Sequence, residues 1–173
     1  MGYTLITGAC GGLGKAFCRE LIKTDDLFLT GRSTERLNEL KAELRFVNPQ
    51  ANVMVFQADL TSEKERENLF SFADERGITF SGYFAVAGAD IQKAFMKYTP
   101  EKIVFQTRLN FEANVAVCRE VLARREKNLK ILCVSSMSGS TPMPYFAIYS
   151  ATKSALIGFY TALRYEVKDA KIT

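Results

Sequence analysis

The chain opens on a short apolar run, 3–7 (YTLIT), that passes directly into Thr7-Gly8-Ala9-Cys10-Gly11-Gly12-Leu13-Gly14 and then into an amphipathic stretch at 12–23. A strand that turns through glycines straight into a helix returns beside itself as a parallel strand, because only a crossover connection fits that order. The rest of the chain repeats the theme. Strand candidates at 26–30, 53–57, 80–86 and 130–135 alternate with helix candidates at 33–47, 62–76, 100–127 and 147–168. Several strands are continuous apolar runs, as strands covered on both faces are. The expected fold is therefore α/β, a doubly wound parallel sheet in a three-layer α/β/α arrangement. Lys171-Ile172-Thr173 reads as the first residues of a further strand. With no Gly/Ser linker, repeat or low-complexity tract, one domain over 1–173 is expected, stopping at the start of a sixth strand.

Composition excludes several chemistries. Histidine is absent, which removes Ser-His and Cys-His nucleophiles and the usual zinc and iron sites, so no metal is expected. Cys10, Cys18, Cys118 and Cys133 form no C-x-x-C pair and sit in apolar patterns, as reduced, mostly buried thiols of a cytoplasmic protein do. The net charge of +4 is mild and its cations are scattered among acids, so no nucleic-acid surface is expected. The densest basic stretch, Arg124 through Lys130, reads as a helix end, where cations complement the dipole. No apolar run reaches the roughly 18 residues of a membrane span, and neither a signal peptide nor a myristoylation motif is read at the start.

The glycine turn and the helix after it offer a pyrophosphate close backbone approach, free N–H groups and a positive dipole end. The same glycines could serve only a tight turn. After the second strand the chain reads Leu29-Thr30-Gly31-Arg32-Ser33, with no acid to take a ribose 2′-OH. Arg32 suits a 2′-phosphate instead, and a charge-assisted contact of about 1.5–3 kcal/mol would favour NADP roughly tenfold to a hundredfold. An ordinary surface arginine is the alternative. Asp59, followed by Leu60, could accept from an adenine amino group or open the next helix as a cap.

Tyr149 and Lys153 stand four residues apart, on one face of a helix, with Ser136 thirteen residues upstream of the tyrosine. A nearby cation lowers a phenol's pKa and makes it usable as a general acid or base. Bringing it from about 10 to about 7 needs roughly 4 kcal/mol, more than one lysine ordinarily supplies, so a second cation such as an oxidised nicotinamide would help. Alone, such a pair could equally be a solvated helix face.

Taken together these residues resemble the short-chain dehydrogenase/reductase family, from Tyr3 to the end of the chain. Its T-G-x-x-x-G-x-G matches Thr7, Gly8, Gly12 and Gly14, its strand-three Asp matches Asp59, and its helix asparagine matches Asn110. Its serine matches Ser136 and its Y-x-x-x-K matches Tyr149 and Lys153. One motif departs: the N-N-A-G ending strand four reads Ala85-Val86-Ala87-Gly88, which removes polar anchoring near the cofactor. The resemblance implies a Rossmann-type sheet of order 3-2-1-4-5, later strands missing, and hydride transfer between NADP(H) and a carbonyl/alcohol pair. Tyr149 would be the proton donor and Ser136 would bond the substrate oxygen. Lys153 would hold the nicotinamide ribose and activate Tyr149, and Asn110 would position a relay water. Thr7, Gly8, Cys10, Gly12, Leu13, Gly14, Arg32, Asp59, Leu60, Ala87 and Gly88 would bind cofactor. Substrate choice would fall to 89–99 and 137–148, where Met137, Met143, Pro144, Tyr145 and Phe146 make a partly apolar surface. The family likeness also implies a homodimer through helices 100–127 and 147–168, whose apolar residues include Phe105, Leu109, Ala113, Ala116 and Val117 on one and Ala155, Leu156, Phe159, Tyr160 and Leu163 on the other. Because family members continue further, a cofactor-binding or assembly module of poor activity is the competing expectation.

Overall fold

The computed structural model describes residues 2–173. Six strands, β1 (Tyr3–Thr7), β2 (Asp26–Gly31), β3 (Val53–Gln57), β4 (Phe80–Ala85), β5 (Arg125–Cys133) and β6 (Ala170–Ile172), form one sheet of order β3-β2-β1-β4-β5-β6. Every pairing is parallel. The sixth strand, expected only as a beginning, is formed and pairs Leu129–Ile131 with Ala170–Ile172 on the far side of β5.

The continuous apolar strands are covered on both faces. On one side Ile6, Leu27, Leu29 and Val53 pack with Cys18 and Ile22 of α1 (Gly12–Leu21) and around it, and with Leu37, Leu40 and Leu44 of α2 (Thr34–Val47). On the other side the alternate residues Leu5, Phe28 and Tyr83 meet α3 (Glu63–Asp74), α5 (Ala113–Ala123) and α7 (Ala147–Glu166). Adjacent residues of one strand thus feed two separate cores, which is what period-2 geometry dictates. Among the described residues no helix is long and apolar enough to cross a membrane.

The expected helix at 100–127 is three pieces and stops early. Thr99 caps α4 (Pro100–Thr107), accepting from the Lys102 amide, and proline occupies the first turn. A π turn spans Arg108–Glu112, and α5 follows as far as Ala123. The basic run is no helix end: β5 begins at Arg125. Arg124 is drawn to Asp74 on α3 at 2.6 and 2.8 Å, and Arg125 to Asp169 at 3.0 Å, so acids of neighbouring elements claim these cations. Asn128, at φ 63°, marks the irregularity that lets Phe80 face Arg125 while Gly82 faces Lys130. A short helix α6 (Met137–Ser140) also forms where none was expected.

The turn after β1 depends on two glycines. Gly8 has φ +65°, and a Cβ there would lie 2.9 Å from the Ala87 Cα. A Cβ on Gly14 would lie 2.3 Å from the Gly8 carbonyl oxygen, a backbone atom with nowhere to move. Alanine at 14 would gain about 1 kcal/mol of helix propensity, yet overpacking against backbone costs about 1–3 kcal/mol. Gly14→Ala is therefore expected to be less stable than the parent in urea unfolding. An unchanged or raised midpoint would show that the turn is not packed this tightly.

Candidate active site

β1 and β4 are neighbours whose following helices cover opposite faces of the sheet, so the loops at their carboxyl ends diverge. Open α/β sheets bind ligands at such a point. Here the divergence leaves a cleft of about 630 Å³, lined by the glycine turn, the ends of β2 and β3, the loop after β4, and Phe105 and Leu109. That volume lies within the ordinary range for ligand sites.

The structure gathers most of the expected nucleotide residues around this cleft: Gly8, Cys10, Gly12, Leu13, Gly14, Arg32, Asp59, Leu60, Ala87 and Gly88. At the start of α1, Gly11 makes no side-chain cap and the first turn holds no acid, so the opening N–H groups face the cleft without a competing carboxylate. Asp59 forms a local turn, its Oδ1 accepting from the Thr61 amide at 2.9 Å and hydroxyl at 2.8 Å. The cap of α3 is Ser62, which accepts from the Glu65 amide, so Asp59 does not serve that purpose. Thr7 is buried and works on the framework: its hydroxyl oxygen accepts from the amides of Val86 and Ala87, both at 3.2 Å.

Sequence reasoning missed Arg36. It stands in the first turn of α2, four residues after Arg32, lines the same corner of the cleft, and donates to the Cys10 carbonyl at 2.7 Å. The i, i+4 spacing of two arginines after strand two was the available signal. Ser33 caps α2 through the Arg36 amide and holds Glu35 at 2.8 Å.

Next to the Gly88 end of the cleft, but not lining it, stands α7. Lys153 is buried, and its ammonium donates to the Val134 carbonyl at 2.7 Å and lies 5.7 Å from the centre of the Tyr149 ring. A Cβ on Gly88 would be 3.6 Å from Lys153 Nζ and 3.3 Å from Asn110 Oδ1, so the loop after β4 brings both groups to the cleft floor. Burial pulls the Lys153 pKa below its ordinary value, with Cys133 opposing weakly. Ser136 is half-buried and caps α6, its Oγ accepting from the Ser138 amide at 3.2 Å and lying 2.9 Å from the Ser138 hydroxyl. Of the competing serines, Ser135 donates to the Lys153 carbonyl at 3.1 Å, and Ser138 is fully buried.

Asn110 sits in the π turn with no exposure. Its Oδ1 accepts from the Ala89 amide at 2.8 Å, and its Nδ2 donates to the Ala89 carbonyl at 2.9 Å and to Thr152 Oγ1 at 3.2 Å. Its side chain is thus committed to fastening the loop after β4 and α7 to the helix between them. Its main-chain carbonyl accepts from Asn114 Nδ2 at 3.0 Å.

The cleft thus carries a glycine cradle and two guanidiniums, with the Lys153 ammonium next to its Gly88 floor and the Tyr149 ring beside that lysine. The family model described as short chain dehydrogenase matches residues 3–173. The chain belongs to the short-chain dehydrogenase family. It is 30% identical over 173 residues to the 3-oxoacyl-[acyl-carrier-protein] reductase FabG of Rickettsia felis, covering 98% of this chain and 68% of that protein. To the 11-beta-hydroxysteroid dehydrogenase B of Sesamum indicum it is 32% identical, covering 95% of this chain and 46% of that one. A structure of actinorhodin polyketide ketoreductase with NADPH superposes with a TM-score of 0.90 at 25% identity, over 99% of this chain and 67% of the other. The chain spans between 34 and 68% of the length of the curated relatives it matches.

The thiols of this short-chain dehydrogenase differ in access. Burial pushes Cys18 and Cys118 up to about 12 and Cys133 up to about 11; it raises Cys10 as well, but Cys10, half-buried like Cys133, is the thiol that lines the cleft. A thiol-alkylating reagent at pH 8 should label Cys10 first, and Cys18 and Cys118 only after denaturation, as read by peptide mass. Equal labelling of all four in the native protein would contradict this packing.

Proposed function

We propose that this short-chain dehydrogenase is an NADP(H)-dependent oxidoreductase acting on a small carbonyl or alcohol substrate. The observation that carries the reading is the placement of Lys153 Nζ, buried, 5.7 Å from the Tyr149 ring and beside the same Gly88 floor that faces the glycine cradle. The cradle fits a dinucleotide. Side chains at Gly8 or Gly14 would fill it, and the open end of α1 supplies N–H donors without a competing acid. The bound nucleotide supplies the hydride donor or acceptor.

This chain's residues supply the rest. In the reductive direction Tyr149 Oη gives its proton to the carbonyl oxygen; in the oxidative direction it takes a proton from the alcohol. Ser136 donates a hydrogen bond to the same oxygen, strongest as negative charge builds there. Lys153 keeps a positive charge close to the phenolate that forms and is placed to donate to a ribose hydroxyl. A water held by Asn110 would link Lys153 to solvent. Arg32 and Arg36 favour a 2′-phosphate at the adenine end, where no acid lines the cleft apart from Asp59. The ketoreductase structure with NADPH supports that choice.

A homodimer is proposed as well, through a surface of these helices that keeps Ala155 but few of the other residues first expected. Ala113, Val117, Leu156 and Tyr160 are buried in the core, and Phe105 and Leu109 line the cleft. The apolar surface left between α4 and α7 is made by Ile103, Phe111, Ala147, Ile148, Ala151 and Ala155, with Phe95 at its rim.

Tyr149→Phe is expected to lower turnover of NADPH with ketone or aldehyde substrates by about 10²–10⁴-fold, with the NADPH dissociation constant within about twofold of the parent. Full turnover in that variant would remove Tyr149 from the chemistry. Arg32→Asp should weaken NADPH by roughly tenfold to a hundredfold and leave NADH nearly unchanged. Equal losses for both nucleotides in fluorescence titrations would show that Arg32 does not read the 2′-phosphate.

A further inference from the structure

The loop after β4 lacks the asparagines that the family places there, yet its polar backbone groups are not left bare. Val86 and Ala87 donate their amides to Thr7 Oγ1. The remaining partners come from one helix. Gln106 Nε2 donates to the Ala89 carbonyl at 3.2 Å, and Asn110 takes both the amide and the carbonyl of Ala89. Asn114 Nδ2 reaches the Ala87 carbonyl at 3.4 Å and the Asn110 carbonyl at 3.0 Å.

Gln106, Asn110 and Asn114 stand at intervals of four and are 0, 0 and 3% exposed. Three carboxamides in succession on the buried face of a helix are costly to desolvate unless they have partners. An uninterrupted α-helix would rotate each successive member of such a series about 40° away from the last. The π turn at Arg108–Glu112 winds more residues into its turn and counters that drift, keeping all three aimed at one loop. Gln106 Oε1 and Asn114 Oδ1 have no protein partner, so core stability alone does not account for amides here. A leucine at either place would bury the same volume without that cost.

We propose that Gln106 and Asn114 are positioning residues. With Asn110 they form a carboxamide ladder that holds Ala87-Gly88-Ala89, the floor under the nicotinamide half of the nucleotide, in place of the strand-end asparagines. The proposal rests on the reading of this cleft as a nicotinamide dinucleotide site. The ladder acts through the loop backbone and touches neither substrate nor reacting atoms. It fixes the floor at one end of the cleft and leaves the adenine end, built by Arg32, Asp59 and Leu60, to stand on its own.

The test uses Asn114→Leu and Gln106→Leu separately, each near in volume to the residue replaced. Amide hydrogen exchange of peptides spanning 84–91 is compared with peptides spanning 8–14 in the same sample. The ladder predicts about tenfold faster exchange at Ala87–Ala89 with the glycine turn unchanged. It also predicts about tenfold weaker NADP⁺ binding, with 2′,5′-ADP, which carries only the adenine half, bound as by the parent. Unchanged exchange at 84–91, or equal acceleration in both segments, would overturn the proposal. If the parent binds neither NADP⁺ nor 2′,5′-ADP, the nucleotide reading fails, and the exchange data still decide whether the ladder holds the loop. If one leucine variant does not fold, the other carries the same comparison.

Discussion

Thr7 Oγ1 receives the amides of Val86 and Ala87 at the point where β1 and β4 stop pairing. Everything at the site depends on that closure. The two strands must separate to make a cleft, and separation leaves amides in the interior without ladder partners, at about 1–3 kcal/mol for each one unmet. One buried hydroxyl takes the Ala87 amide and shares the Val86 amide with the Phe84 carbonyl. It lets Gly8 turn at φ +65° with its Cα against the Ala87 backbone, and so sets the spacing between the glycine cradle and the nicotinamide-side floor.

From that junction the site extends in two directions. Toward β2 and β3 it is electrostatic and open, with Arg32 and Arg36 exposed and Asp59 fixed by Thr61. Toward α7 it is buried and geometric. There Lys153 is held by the Val134 carbonyl and Asn110 by Ala89, within a few ångströms of Gly88. The ammonium is dehydrated enough for burial to lower its pKa.

The sheet was legible because its signal is local. Continuous apolar strands alternating with amphipathic helices admit few arrangements, and five expected strands lie where expected to within a few residues. The glycine turn and the Tyr149/Lys153 pair were legible for the same reason, since each acts within one element. What was not legible depends on partners distant in sequence. Arg124 and Arg125 looked like a helix end until Asp74 and Asp169 were placed beside them. The π turn leaves no mark in residue types, so the hold of the Asn110 side chain on the loop at Ala89 was not legible. The framework bonds of Thr7 to Val86 and Ala87 were not legible either, because they need the pairing of β1 with β4 to be known.

The departure at Ala85-Val86-Ala87-Gly88 suggested a weakened floor, and here geometry changes the reading: the floor is fastened from the helix side and from β1 rather than from its own strand. The central claim is that a nicotinamide dinucleotide lies across this cleft from the α1 terminus to Lys153. A crystal structure of the protein with NADP⁺ tests it most directly. The account predicts the pyrophosphate on the amides at Gly12–Gly14, the 2′-phosphate between Arg32 and Arg36, and a ribose hydroxyl within hydrogen-bonding distance of Lys153 Nζ. A nucleotide seated elsewhere, or a vacant cleft at saturating NADP⁺, would contradict it.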